Sequence, residues 1–458
     1  MRRSLNRLTS LFIQILHKWS FVASEELKEG RVVGVLSKGV LAAIAIIGIL
    51  ASGLLVTTRL LKEGVGVDLS KIKVAVVYER VTDGMVMNRS VEDVISLLKE
   101  MGVDFVFRGW WRWTPCPNRC EDLPSSKAKM RCEFSGYSYK HLEDAIFVIK
   151  QEIPEIIFCG AIPAQIIPKE VIWNPKTGEI IRYPEIWDLA LDPGKWDLDM
   201  SKEEFQCLFG KTHLWVPEGL DCSLYNPEDV SAYFPDITNP KFQELILSWA
   251  ERQIDAGVDA IWIDMLFKQA GLLYRLTNDF NHPAVRESYD AACAIVDKVH
   301  KYGKERGKHI FVGSWASAIH FPYPPPDLDF VTLSPSAREV REIRLNEEKW
   351  DEIIVRIREK FGEILIIAFI DWASTTETPL GQFSQVLSKE EQREFLMAAD
   401  SFFQNRGIVF AYPLHGGWMG NDAEILSFGI RRTYDALAPE FQTYETIREL
   451  ARNKKRGS

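Results

Sequence analysis

The chain has 458 residues, 46% hydrophobic and 26% charged, which is an ordinary globular composition with enough apolar material for a large core. Its formal net charge is -9, so it lacks the basic balance that a nucleic-acid partner normally requires. We expect some of the 14 Trp residues to stack on a sugar and the rest to pack in the core.

The N-terminal part of the chain contains a segment typical of a transmembrane helix. Residues 39–58 carry no charge and, at about 1.5 Å per residue, are long enough to span roughly 30 Å of hydrocarbon. The long stretch before them, residues 1–38, favours an uncleaved anchor over a signal peptide. Basic residues in that stretch predict a cytoplasmic N-terminus, with residues 59–71 as a linker and the remainder outside the cell membrane.

After the linker, strand-like apolar runs alternate with amphipathic stretches, as in a parallel sheet surrounded by helices. The runs lie at residues 73–79, 104–108, 156–162, 259–264, 309–314, 329–334, 364–371 and 407–412. The eight runs predict a (β/α)8 TIM barrel over residues 72–435, followed by a C-terminal helix and basic tail in residues 436–458. Helices are predicted between them at residues 90–101, 139–152, 240–256, 283–306, 346–361 and 388–405.

A long insertion rich in Trp, Pro and Cys follows the third predicted strand and ends at Pro235. Insertions at the top of a barrel usually shape a substrate cleft, although a lid or an oligomer contact is the alternative.

The seven Cys residues show no zinc-ligand spacing, so we expect no metal site. In an oxidising compartment, one or two disulfides are expected within two groups, Cys116, Cys120 and Cys132 in one and Cys207 and Cys222 in the other. The sequence contains no P-loop, no dinucleotide-binding glycine fingerprint and no Gly-x-Ser-x-Gly motif. We therefore expect no cofactor.

Polar residues close several predicted strands, and in a TIM barrel the active site lies at these C-terminal ends. Glu79, Arg108, Asp264 and Asp371 end strands one, two, four and seven. The alternation of side chains on strand four directs Trp262 and Asp264 to the barrel interior. A carboxylate in such surroundings needs a function, and structural pairing with Arg108 is the alternative to catalysis.

Residues 232–265 contain PDITNP, then an amphipathic helix, then GVDAIWIDM. This order and spacing resemble the (β/α)8 glycoside hydrolases of families 31 and 36, whose pattern is close to PDxTNP followed by DGxWxDM. The resemblance implies that Asp264, which matches the nucleophile of those families, is the catalytic nucleophile. In the first motif, Asn239 and Pro240 are also explained as the start of the helix.

The chain departs from the family pattern at two places. Leu266 and Phe267 follow Asp264, where family 31 has Asn-Glu, and Ser334 closes strand six in place of an acid/base Asp. Asp371 is the candidate for the second carboxylate, because several barrel glycosidases have an essential carboxylate on strand seven. The separation of the pair, about 5.5 Å for retention or about 6.5–9.5 Å for inversion, is not fixed by the sequence.

Aromatic and polar residues at or beyond the strand ends predict a sugar-binding cleft. They are Glu79, Arg108, Trp110, Trp111, Trp262, Trp315, Trp372 and His415. The sequence thus predicts a membrane-anchored glycoside hydrolase with a carbohydrate substrate. The alternatives are a catalytically inactive glycan-binding barrel at the cell surface and a barrel hydrolase or lyase of another kind.

Overall fold

The computed structural model describes residues 68–111, 116–172, 180–213, 215–371, 375–429 and 431–456. The predicted membrane segment 39–58 and its flanking segment 1–38 lie outside the described residues, as does most of the predicted linker. Within the described ranges, no helix combines the length and apolar character needed to cross a membrane. The membrane anchor stays a prediction.

Eight parallel strands form a closed barrel, as the sequence predicts. They are β1 (Ala75–Tyr78), β2 (Phe105–Trp111), β3 (Ile157–Pro163), β4 (Ala260–Asp264), β5 (Phe311–Trp315), β6 (Phe330–Leu333), β7 (Leu365–Phe369) and β8 (Val409–Trp418). Each strand pairs with its neighbour in chain order, and β1 also pairs with β8, which closes the barrel. Beyond the eight, Thr433–Asp435 adds to β8 in the antiparallel direction.

Helices follow most of the strands. The longer ones are α1 (Val91–Met101), α2 (Ser126–Ser135), α3 (Tyr139–Glu152), α4 (Lys202–Thr212), α5 (Pro240–Ala256), α6 (Lys268–Thr277), α7 (Pro283–Glu305), α8 (Glu347–Phe361), α9 (Lys389–Gln404) and α10 (Tyr444–Arg456). Shorter helical turns lie at Leu69–Lys71, Gly84–Met87, Cys120–Asp122, Trp187–Leu189, Pro193–Trp196, Cys222–Leu224, Pro227–Asp229, Ala316–His320, Ala337–Arg341, Pro379–Gly381 and Gln382–Val386.

Helix α5 begins where the first half of the sequence motif ends. The side chain of Asn239 accepts a hydrogen bond from Lys241 N, and Pro240 occupies the first helical position. Both residue types favour these positions, because Asn satisfies a free amide and Pro has none to satisfy. This part of the motif therefore serves to start the helix that leads into β4.

The insertion between β3 and α5 has its own small framework. Two short antiparallel pairs join Ile167–Pro168 to Ala232–Tyr233 and Val171–Ile172 to Ile180–Ile181. A disulfide between Cys207 and Cys222 ties α4 to the segment that follows it. The second disulfide joins Cys120 to Cys132 before α3, so each bond falls within one of the two predicted groups.

Candidate active site

Aromatic side chains fill the barrel interior just below the strand ends. The indole of Trp262 lies among the rings of Phe107, Trp315 and Phe369, with centroid distances of 5.2, 5.7 and 6.0 Å. Trp111 lies 6.1 Å away on the β2 side. Close packing of this kind leaves little room for water. Charged groups above this layer therefore interact across a medium of low polarity.

Strand β4 carries Asp264 to the C-terminal end of the barrel. Its neighbours Ile261 and Ile263 pack in the apolar core shared with the helices, whereas Trp262 faces the interior. Asp264 is the last residue of β4 that pairs with β3, and its partner there is Pro163. The observed alternation matches the prediction from the sequence.

The carboxylate of Asp264 is held by two hydrogen-bond donors. Trp315 Nε1 donates to Oδ1 at 2.7 Å and Gln165 Nε2 donates to Oδ2 at 3.2 Å. The residue is 7% exposed, and this burial raises the pKa of Asp264 above its ordinary value. Arg108 and the two donors act in the opposite direction, because they stabilise the ionised form.

Arg108 places a buried positive charge at the same end of the barrel. It has a φ of 57°, within an irregular part of β2 where the register with β3 shifts between Val106 and Trp110. Its guanidinium lies 4.2 Å from the Trp111 ring centroid and 5.0 Å from that of Trp262. Burial lowers the pKa of Arg108 to about 10, while Glu79, Asp264 and Asp371 raise it. Arg108 thus links the three carboxylates electrostatically.

The close approach of the Phe158 ring to the backbone of β2 explains the glycine beside Arg108. A Cβ on Gly109 would lie 2.4 Å from the Phe158 ring, which is closer than real Cβ atoms come. Gly109 therefore allows β2 to bend against β3 and to present Arg108 inward.

The other two carboxylates lie just after β1 and β7. Glu79 Oε2 accepts a hydrogen bond from Gly417 N at 3.0 Å. Gly416 has a φ of 102°, and a Cβ there would lie 2.3 Å from that of Glu79, so only Gly fits beside this carboxylate. Asp371 is half-buried just after β7, and its backbone N donates to Ser334 Oγ at 3.1 Å.

One of the predicted sugar-binding residues, Trp110, lies away from the site, and another falls outside the described residues. Trp110 is fully buried and stacks on Tyr137 at 5.0 Å, in the apolar core between strands and helices. The shifted register of β2 turns it away from the cleft while keeping Trp111 inside, which corrects the prediction for Trp110. Trp372 lies outside the described residues.

His415 is also not available to a sugar in this structure. It is 1% exposed, and its ring nitrogens contact two carboxylates, Asp435 at 2.7 Å and Asp83 at 3.1 Å. Arg89 binds Asp435 with two hydrogen bonds of 2.9 and 3.0 Å. Burial alone lowers the pKa of His415, but Asp83 and Asp435 raise it to about 9. His415 was predicted to bind a sugar, but in the structure it belongs to a buried ion network.

Gln165, the second donor to Asp264, is not among the site residues predicted from the sequence. Gln165 is half-buried and follows β3 by two residues. The rule that polar residues beyond barrel strands line the site points to this position as well. No residue from strand three was predicted, because the apolar run at residues 156–162 ends without a polar side chain.

A metal site gains no support from the described part of the chain. One group of three potential ligands lies there, Cys120, Glu133 and His141. The sulfur of Cys120 is bonded to Cys132, so it is not available as a thiolate ligand. The carboxylates at the barrel mouth do not form such a group.

The donor from Trp315 has a testable consequence for pH dependence. If ionised Asp264 is required, activity falls as the pH drops through the pKa of Asp264. Because burial raises this pKa, the fall should occur above the ordinary Asp pKa of about 3.9. Trp315→Phe removes a donor that favours the ionised form, so the acidic limb of kcat/KM should move to higher pH. Trp111→Phe is the matched control, because it leaves both donors in place. An acidic limb that stays fixed or moves down in Trp315→Phe would contradict this account.

No protein-family model and no curated protein matches the chain. Among solved structures, it is similar to the glycoside hydrolase domain of PelA from Pseudomonas aeruginosa, with 11% identity and a TM-score of 0.38 over 74% of this chain and 94% of that one. It is also similar to Gamma-CGTase from alkalophilic Bacillus clarkii, with 12% identity and a TM-score of 0.45 over 85% and 57%. The alpha-amylase of Geobacillus thermoleovorans has 12% identity and a TM-score of 0.41 over 83% and 78%. Similarity at these identities and TM-scores assigns neither a family nor a reaction to the chain.

Proposed function

We propose that the protein is a glycoside hydrolase with Asp264 as its nucleophile. The observation that carries this proposal is the position of Asp264, which ends a barrel strand above an aromatic layer and accepts hydrogen bonds from Trp315 and Gln165. Both donors favour the ionised form of the carboxylate, which a nucleophile needs. The structural alternative is a direct pair with Arg108, whereas the hydrogen bonds to Asp264 come from neutral groups.

The reaction proceeds in two steps in this proposal. An Asp264 oxygen forms a bond to the anomeric carbon while the glycosidic oxygen leaves and takes a proton from Asp371. The Asp371 carboxylate then takes a proton from water, whose oxygen attacks the anomeric carbon and releases Asp264. The product keeps its anomeric configuration. Arg108, attracted to Glu79, Asp264 and Asp371, balances negative charge in both steps.

The sugar is held by the groups around the carboxylates in this proposal. Trp315 is partly exposed and presents an indole edge beside Asp264, and Trp111 covers the Arg108 guanidinium. Glu79 is half-buried and is assigned to a sugar hydroxyl. Trp262 acts as a buried support for these groups rather than as a surface for the ligand.

The test of this function separates the roles of Asp371 and Glu79. An Asp371→Asn enzyme should hydrolyse a dinitrophenyl glycoside far better than a natural glycoside, because the activated leaving group needs no protonation. Added azide should restore its rate by replacing water, since azide needs no general base. Glu79→Gln is the control and should lower activity on both substrates without azide rescue. Azide rescue of Glu79→Gln but not of Asp371→Asn would reverse the two assignments.

We also propose that residues 39–58 anchor the enzyme in the cell membrane, with the N-terminus cytoplasmic and the barrel outside. The uncharged segment supports the anchor, and the two disulfides in the barrel loops are typical of proteins in an oxidising compartment. Protease added to intact cells should then digest the barrel. Digestion only after permeabilisation would show that the orientation is the opposite.

A further inference from the structure

A cleft of about 570 Å³ begins at Met265, the residue that follows Asp264 in the chain. Helix α6, the turn that follows β4 and the segment after β5 form its walls. Met265, which directly follows Asp264 in the chain, lines the cleft, and so does Lys268. We refer to this space as the α6 cleft. Asp264 does not line the α6 cleft, but Lys268, which does, interacts with it electrostatically. The two-step mechanism above does not use this space.

The α6 cleft is positively charged in a chain whose net charge is -9. Lys268 and Arg275 line it, and no Asp or Glu is among its described lining residues. His320 also lines it, but burial and Arg356 lower its pKa, so its imidazole adds no charge at neutral pH. Arg356 Nη2 lies 3.3 Å from His320 Nδ1 behind this wall. Lys268 is half-buried, and burial and Arg275 lower its pKa while Asp264 raises it. A cation in these surroundings gains from a bound anion.

One face of α6 is shaped to leave this space open. Lys268, Gly271, Leu272 and Arg275 follow one another at i, i+3, i+4 and i+7, so they share one side of the helix. A Cβ built on Gly271 meets no atom within 4 Å. Gly in the middle of a helix lowers stability relative to Ala, and here no neighbouring atom requires it. The position therefore keeps free room between the two cations.

The α6 cleft also has flat apolar surfaces of the kind that sugar rings contact, from Tyr274 on α6 and from Phe280 and Phe321 on the segments after α6 and β5. Phe280 stacks on Tyr274 at a centroid distance of 4.0 Å, and Phe321 lies 6.1 Å from Phe280 at a steep angle. All three rings line the cleft. Aromatic rings and two cations in one cleft suit a ligand that has both a pyranose face and a negative charge.

We propose that the α6 cleft binds an anionic sugar residue, with a carboxylate or sulfate group, next to the sugar whose anomeric carbon meets Asp264. This inference rests on the proposed function and specifies its substrate as an acidic glycan. Lys268 and Arg275 bind the anionic group, and the Phe280 and Phe321 side contacts the ring.

Titration calorimetry with matched pairs of oligosaccharides tests this inference. The pairs are galactotriose with trigalacturonate, mannotriose with trimannuronate, and unsulfated with sulfated chondroitin tetrasaccharide. All measurements use the full chain with Asp264→Asn, so that no ligand is hydrolysed. In at least one pair, the more anionic member should bind about tenfold more tightly than its counterpart, as expected for a charged hydrogen bond. The pair that responds distinguishes carboxylate from sulfate.

Variants then locate the effect. Lys268→Met should weaken binding of the anionic member about tenfold and change that of its counterpart much less. Lys301→Met is the matched control, because it removes the same charge from an exposed position on α7 outside the cleft and should have no effect. Gly271→Phe should weaken both members by filling the space, and its melting temperature reports whether the fold is kept.

The inference is overturned if the less anionic members bind as tightly as the others, or if Lys268→Met and Lys301→Met behave alike. A failure of the proposed function has a different signature, because hydrolysis by the chain with Asp264 restored is measured separately. If anionic oligosaccharides bind at Lys268 but are never hydrolysed, the α6 cleft is confirmed as an anionic-sugar site and the proposed glycoside hydrolase activity is wrong.

Discussion

Asp264→Asn should reduce turnover by a factor on the order of 10⁴ or more and leave the melting temperature unchanged or raised. The amide has the size of the carboxylate but cannot form the glycosyl ester. Trp315 and Gln165 both donate to Asp264, so an Asn side chain keeps an oxygen for one of them. The loss of activity is therefore expected without a loss of the fold. Turnover on aryl glycosides and calorimetric melting measure the two effects.

The sign of the stability effect follows from the pKa of Asp264. Burial raises that pKa in the folded chain. A group of this kind stabilises the fold below its unfolded pKa and loses this contribution as the pH rises through the folded value. Ionising Asp264 in the folded chain therefore costs stability, and an uncharged Asn removes that cost. The loss of attraction to Arg108 is partly offset, because Glu79 and Asp371 still attract Arg108.

Asp259→Asn is the matched control at the other end of the same strand. Asp259 accepts a hydrogen bond from Phe158 N at 2.8 Å and forms an ion pair with Lys150 at 2.6 Å. Its substitution should lower the melting temperature while keeping turnover. If Asp264→Asn instead lowers the melting temperature and keeps activity, Asp264 is structural. The inactive glycan-binding barrel or another reaction class would then replace the proposed enzyme.

The barrel was predictable because its signal is periodic and local. Each apolar run is bounded by polar or turn residues, and helix α3 lies at the predicted residues, Tyr139–Glu152. The irregularity in β2 was not predictable, because it depends on the contact between Gly109 and the Phe158 ring of the neighbouring strand. That irregularity decides that Trp111 faces the interior and Trp110 does not.

The site was predictable only where one strand defines the geometry. Alternation on β4 was enough to direct Asp264 inward, since it needs no knowledge of other strands. The surroundings of His415 combine Asp83, Arg89 and Asp435, and the first two are more than 300 positions away from it in the chain. A single His beyond a strand carries no signal for such partners. The sequence therefore predicted that His415 binds a sugar, whereas in the fold it belongs to an ion network.

That network leads to the largest expected effect on stability. His415→Asn should lower the free energy of unfolding by about 3–5 kcal/mol at pH 6, because it removes a buried cation from between Asp83 and Asp435. The pKa of His415 is raised to about 9 in the folded chain, compared with about 6.5 in an unfolded one. Its contribution is therefore complete below about pH 6.5 and is lost as the pH rises through about 9.

Chemical denaturation of the wild type and of His415→Asn at pH 6 and at pH 10 provides the test. The difference in unfolding free energy should be large at pH 6 and should shrink at pH 10, where the wild-type imidazole is neutral. His309→Asn is the control, since His309 is exposed and lies 3.6 Å from Asp329, where an ion pair contributes little. A difference that is equally large at both pH values would mean that His415 stabilises the fold by packing against Tyr78, whose ring lies 4.9 Å away, rather than by its charge.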